Sequence, residues 1–315
     1  MDARRTAVQA RPTISWWSPR RLRLSGDAQI GYLFVAPVLV VLAGLLAYPL
    51  VSSVWLSFRD QVIGVPVSHF VGLANYRTLV ADPVYREAVR NVFVFTIGSV
   101  ALKLVLGMAT ATVLNEKLPA RNLVRGIVLL PWAIPTVVTV IIWTWMYNDM
   151  FGVFNFVLMH LGVFHEPRNW LGDPGTAMPA VIAVDVWRGF PFFSLMLLAG
   201  LQTIPGDLYE AARVDGAGPW QRFRHVTLPG IRTITLVVTL LSTVWTFNDF
   251  TIIWVLTKGG PGYATTVLST LTFQKAFFSR EISQGIAVSV TLMPLLLVLI
   301  IWLVRSVDRQ QRQEA

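Results

Sequence analysis

The chain has 315 residues, of which 54% are hydrophobic and only 14% charged, a balance that excludes an ordinary soluble globule and points to a membrane. Its formal charge of +9 is spread over tails and over loops between apolar runs, which suits membrane orientation and gives no reason to expect a nucleic-acid partner. There is no cysteine, hence no disulfide framework and no thiolate chemistry.

Residues 1–27 carry Arg4, Arg5, Arg11, Arg20, Arg21 and Arg23 without a periodic apolar pattern, and read as a disordered cytoplasmic tail. The apolar run behind Arg20-Arg21 is too long, and too poor in small residues at its end, for a cleaved export signal. Residues 28–304 then read as an all-α integral membrane domain of six spans, since roughly 20 helical residues at about 1.5 Å each cross the hydrocarbon core. The spans are predicted from Tyr32 to Phe58 and at about 91–114, 125–147, 177–201, 231–256 and 283–304. Pro131, Pro135, Pro191 and Pro294 fall inside them and read as packing bends more readily than as hinges. Residues 305–315 form a second cytoplasmic tail.

Lysine and arginine counts orient this bundle. With the amino terminus inside, the internal segments carry 16 and the external ones eight, so both termini are expected in the cytoplasm. The same count puts the long polar interruption at about 202–230 inside.

That interruption reads Glu210-Ala211-Ala212-Arg213-Val214-Asp215-Gly216-Ala217 and closes with Val226-Thr227-Leu228-Pro229. Asp207 is expected to cap a helix starting at Leu208, with Glu210 as the reciprocal partner. Gly216 can take the left-handed conformation that ends it, and Pro219 suits the first turn of a second short helix. Leu208, Ala211 and Ala212 share a face on which small side chains allow close approach. The pattern resembles the coupling loop of ATP-binding-cassette importer permeases. Further stretches in matching order, Phe70-Val71-Gly72-Leu73-Ala74-Asn75-Tyr76, Leu130-Pro131-Trp132 and Leu256-Thr257-Lys258-Gly259-Gly260-Pro261, resemble the carbohydrate-uptake branch of that family, as in the maltose and glycerol-3-phosphate systems.

The resemblance implies a type I importer permease fold. It implies that Glu210, Ala211, Ala212, Asp215, Gly216, Leu228 and Pro229 couple the chain to an ATPase. The partners it implies are a second permease, a dimer of ATP-binding subunits and an extracytoplasmic sugar-binding protein. No phosphate-binding G-x-x-x-x-G-K-[ST] loop occurs, so no cofactor is expected in this chain, and ATP with its magnesium belongs to the partner. No metal-ligand spacing links the four histidines, and no enzymatic site is expected.

Four ionisable residues lie inside predicted spans: Lys103, Asp185, Arg188 and Asp249. Asp185 and Arg188, three apart, are expected to pair with each other. Lys103 either snorkels or meets a carboxylate. Asn248 and Asp249, with Trp245 beside them, combine polar groups for sugar hydroxyls with a ring for a sugar face, and the resemblance implies that they approach the substrate path. An interfacial aromatic belt explains the same rings equally well. Trp143, Tyr147 and Asn148, at the outer end of the third span, present the same choice. A permease for a non-sugar solute, a secondary transporter and a membrane enzyme are the alternatives; the last two lack, respectively, an internal repeat and a convergent catalytic set.

Overall fold

The computed structural model describes residues 26–116 and 119–314, and contains helices with no strand among them. The basic tail up to residue 25, and Lys117, lie outside the described residues. The chain divides into two units, Met1–Ser52 and Ser53–Ala315. What is described of the first is helical, with Pro37 inside the helix and a π-helical turn at Ala43–Ala47. It supplies most of the apolar stretch Tyr32–Ser57, here α1, which is long enough to cross a membrane.

In the second unit a short helix, α2 (Ala74–Ala81), leads into α3 (Pro83–Asn115). Asp82 starts α3: its Oδ1 accepts from the Val84 N–H at 2.9 Å, and Pro83 occupies the first turn, where a missing N–H costs nothing. Next come α4 (Arg121–Ala133), α5 (Thr136–Met146), α6 (Val153–His160) and α7 (Pro174–Leu201), the last opened in the same way by Asp173 and Pro174. A polar hairpin, α8 (Gly206–Val214) and α9 (Pro219–Gly230), precedes α10 (Arg232–Phe247). The chain ends with α11 (Thr251–Thr257), α12 (Leu268–Phe273) and α13 (Ile282–Glu314).

Four of these helices are long and apolar enough to span alone, and the number rises to six if each bent pair counts as one span. The third span is such a pair, because α4 and α5 meet at 90°. Pro135 drives Ile134 into an extended conformation, with ψ at 133°, so a continuous helix over 125–147 does not form. The fifth span is also interrupted, at Asn248-Asp249-Phe250 between α10 and α11. The last helix does not stop at residue 304 but continues to Glu314.

The centre of the unit is the pairing of α3 with α7, which run in the same direction. A Cβ on Gly98 would sit 3.2 Å from Ile182 Cδ1, and one on Gly107 would overlap Phe193 Cβ, so rising numbers on α3 meet rising numbers on α7. In lipid, close packing rather than exclusion from water holds helices together, and glycine allows it. Two apolar layers flank this seam. Val92, Phe95, Val184, Phe247 and Ile252 fill one, and Ala111, Leu114, Phe193, Leu197 and Val238 the other, all of them buried.

On the side where α3 begins, the Lys258–Val267 loop is held by its own polar groups. Thr266 Oγ1 donates to Gly259 O at 2.8 Å, Thr265 Oγ1 to Gly260 O at 2.7 Å, and Asn91 Nδ2 reaches Tyr263 O and Thr266 O at 3.1 and 3.0 Å. Gly259 has φ of +89°, which an L side chain rarely adopts.

Candidate functional site

The four ionisable residues of the predicted spans gather in one place. Lys103 from α3, Asp185 and Arg188 from α7, and Asp249 just beyond α10 border a single small cavity of about 60 Å³. Lys103 Nζ lies 2.6 Å from Asp185 Oδ2, both residues being 4% exposed, and it also donates to Thr246 Oγ1 on α10 at 3.0 Å. One ammonium thus ties three helices together. The expected pairing of Asp185 with Arg188 does not form. Parallel packing of α3 on α7 brings Lys103 across Gly189, and a Cβ there would fall 2.5 Å from Lys103 Cε. Arg188 Nε is left buried without an acceptor.

Asp249 has a structural task as well, since its Oδ1 accepts from the Ile252 N–H at 2.9 Å and so helps restart the helix after the break. Aromatic walls close the cavity: Trp132 and Phe192 have ring centroids 6.4 Å apart, and Phe192 and Trp245 5.1 Å. Asn248 is exposed and donates back to Val244 O at 2.8 Å, outside the cavity lining.

Trp143, Tyr147 and Asn148 are not in this group. Trp143 and Tyr147 are buried against α7, the first with its ring 5.7 Å from Trp187 and the second donating its hydroxyl to Ala180 O at 3.1 Å. Asn148 Oδ1 accepts from the N–H groups of Met150 and Phe151, closing a turn. Sequence reasoning missed Trp132, Phe192, Ser242 and Thr246 as neighbours of the charges. A serine or threonine inside an apolar span is a faint signal, because each can satisfy its hydroxyl on its own helix.

The polar hairpin is built differently. Helix α8 starts at Gly206 after Pro205, with Asp207 inside its first turn, so Asp207 does not cap it. Pro205 fixes the entry and the acid still favours the helix N-terminus through the dipole. The other end is as expected. Gly216 has φ of +79°, Gly216 N bonds Arg213 O at 3.0 Å, and Ala217 N bonds Ala212 O at 2.8 Å, the hydrogen-bond pair of a left-handed glycine stop. Pro219 opens the next helix, and Tyr209 OH meets Thr227 Oγ1 at 3.0 Å, pinning the two arms. No residue of α8 is buried. Glu210, Ala211, Asp215, Gly216, Leu228 and Pro229 are all exposed, and Ala212 half-buried. Leu208 and Val214 stand 52% and 88% exposed on the helix.

Residues 103–313 match the family described as the binding-protein-dependent transport system inner membrane component. The chain belongs to that family. This permease is 41% identical over 276 residues to the trehalose/maltose transport system permease protein MalF of Thermococcus litoralis, covering 87% of this chain and 91% of the relative. It is 34% identical over 272 residues to the sulfoquinovosyl glycerol transport system permease protein SmoG of Agrobacterium fabrum, covering 86% and 87%. In fold it is similar to a chain from the crystal structure of a bacterial ABC transporter that imports the acidic polysaccharide alginate. That likeness has a TM-score of 0.77 at 22% identity, over 90% of this chain and 96% of the other.

Proposed function

We propose that this permease is one of two similar subunits that together form the path for sugar into the cell, with both of its termini in the cytoplasm. The pair stands on a dimer of ATP-binding subunits, which hold ATP and magnesium, and takes its sugar from an extracytoplasmic binding protein. This chain contributes no cofactor and no catalytic group. The observation that carries the reading is the charged, aromatic-walled cavity deep among the helices of a transport protein whose relative is named for trehalose and maltose.

Sugar hydroxyls need acceptors such as the Asp249 carboxylate, and the apolar faces of a sugar ring pack on rings such as Trp245. Trp143, Tyr147 and Asn148 serve the path indirectly: the two rings hold α5 against α7, and Asn148 shapes the turn that follows. At about 60 Å³ the cavity is far smaller than the ~300–1,000 Å³ of a small-molecule site, so its walls must part for a sugar to pass. The movement comes from the α8–α9 hairpin. Seated through Glu210, Ala211, Ala212, Asp215, Gly216, Leu228 and Pro229 on an ATP-binding subunit, it acts as a lever between inward-facing and outward-facing states, a two-state change driven by different contacts in each.

The test is uptake by vesicles reconstituted with both permeases, the ATPase and the receptor. Asp249→Asn keeps an oxygen for the Ile252 N–H while removing the charge, so it should assemble normally and lose roughly tenfold in uptake. Asn248→Ala, whose amide bonds only its own helix among the described contacts, should lose less. Wild-type uptake by Asp249→Asn would remove the cavity from the path.

A further inference from the structure

Asp185 has two candidate cations. Arg188 is its neighbour at i, i+3 on α7, the spacing at which a helix brings opposite charges together, yet Lys103 of α3 holds the carboxylate at 2.6 Å. The site is shaped for that choice. Gly189 leaves room for the lysine stem, and Thr246 takes a second ammonium proton at 3.0 Å. Arg188 in consequence keeps a buried Nε with no acceptor, on the wall of the same cavity as Asp249. A buried donor left unpaired costs free energy, and this one borders a cavity among the helices where a solute could satisfy it.

We propose that Lys103 is a specificity-determining residue of the transport path: by holding the α7 residue Asp185 toward α3 it prevents Asp185 from capturing Arg188, and so keeps Arg188 and Asp249 as the charged pair presented to the solute. One donor fork and one carboxylate facing the same small space, with the other two charges cancelled against each other, suit an uncharged saccharide. Arg188 donates to its hydroxyl oxygens, Asp249 accepts from its hydroxyl groups, and no net charge is left to demand a counter-ion. A sugar acid would satisfy Arg188 but set its carboxylate against Asp249 in a poorly screened interior. The substrate class rests on the sugar reading above; the role of Lys103 does not.

The experiment uses the complete importer complex in detergent, with trehalose as the probe, its binding followed by tryptophan fluorescence. Arg188→Gln should weaken trehalose binding about tenfold, the effect of one lost charge-assisted hydrogen bond. Lys103→Met, which frees Asp185 to turn onto Arg188, should match it. Adding Asp185→Asn to Lys103→Met removes the captor and should restore affinity to within about threefold. If Lys103→Met fails to assemble because its buried carboxylate is stranded, the double variant Lys103→Met with Asp185→Asn, which strands neither charge, decides: it should bind within about threefold of wild type, and a tenfold loss there would make one of the two a ligand and overturn the proposal. A glucuronate-containing disaccharide should bind the wild-type complex at least tenfold more weakly than its uncharged counterpart, and equal binding would overturn the solute class. A cryo-EM map of Lys103→Met, or of Lys103→Gln should the first not assemble, needs no sugar. Asp185 on Arg188 would uphold the capture even if no saccharide binds the wild type, in which case the sugar reading fails by itself, whereas an unmoved Arg188 would overturn the capture.

Discussion

The cavity and the hairpin treat polar groups in opposite ways. Around Lys103, charges are drawn inward from three helices and one pair is cancelled at 2.6 Å, with both members almost wholly buried. In α8 nothing is buried, and apolar side chains such as Val214 stand out while the backbone is tied off locally at Gly216. A buried pair adds little net stability but strongly penalises every arrangement that separates its members, so it specifies how helices sit. An exposed, self-capped hairpin is firm in shape and uncommitted in contact. The chain thus closes its polar chemistry inside the bundle and leaves it open on the hairpin.

The contrast can be broken from the buried side first. Gly107→Val would force a branched side chain into Phe193 at the tightest point of the α3–α7 seam. We expect a loss of about 3 kcal/mol, seen as a lower Tm of the purified permease and less of it in the membrane. Gly107→Ala should show the same trend more weakly, the clash outweighing alanine's better helix propensity of about 1 kcal/mol. If the valine variant melts as wild type does, the seam is not where the two helices are fixed.

On the exposed side, Gly216→Val asks a β-branched residue to adopt φ of +79° and should cost about 1–2 kcal/mol locally. Glu210→Lys should change the permease's own stability by no more than about 0.5 kcal/mol. Both variants should abolish stimulation of the ATPase by loaded receptor. Unchanged stimulation with either would remove the lever role from the hairpin.

The smallest effect is expected at the start of α3. Partial burial pushes the Asp82 carboxyl up, but the bond from Lys275 at 2.9 Å, the Val84 N–H and the Lys275 charge outweigh it and hold the group below the ordinary carboxylate value. A depressed folded value means that this stabilisation is complete above the unfolded value of about 3.9 and is lost as the pH falls through the folded one. Melting between pH 6 and pH 3 should therefore show an acid-side loss of about 1 kcal/mol or less that Asp82→Asn lacks. An identical acid profile in the variant would assign the loss to other groups.

Much of this was legible in the residues. Strongly apolar runs of helix-spanning length mark the membrane segments, because a charge in lipid is costly enough to be rare in them. Gly216 and Pro219 announce the ends of the hairpin arms, since left-handed φ and a first-turn proline are local requirements that any context respects. Pairing was not legible in the same way. Asp185 and Arg188 satisfy a helical spacing rule and still do not meet, because which cation reaches a carboxylate depends on how two distant helices are placed. The break at Asn248-Asp249 and the right angle at Pro135 were hidden for a related reason: hydropathy registers length and not direction. What the amino-acid sequence determined alone is the set of membrane segments, the hairpin's punctuation and the family, all of which follow from short-range rules. Only the tertiary structure decided that Lys103 belongs to Asp185 and that Arg188 and Asp249 border one cavity, because that choice is made by the gap at Gly189 and the register of α3 on α7.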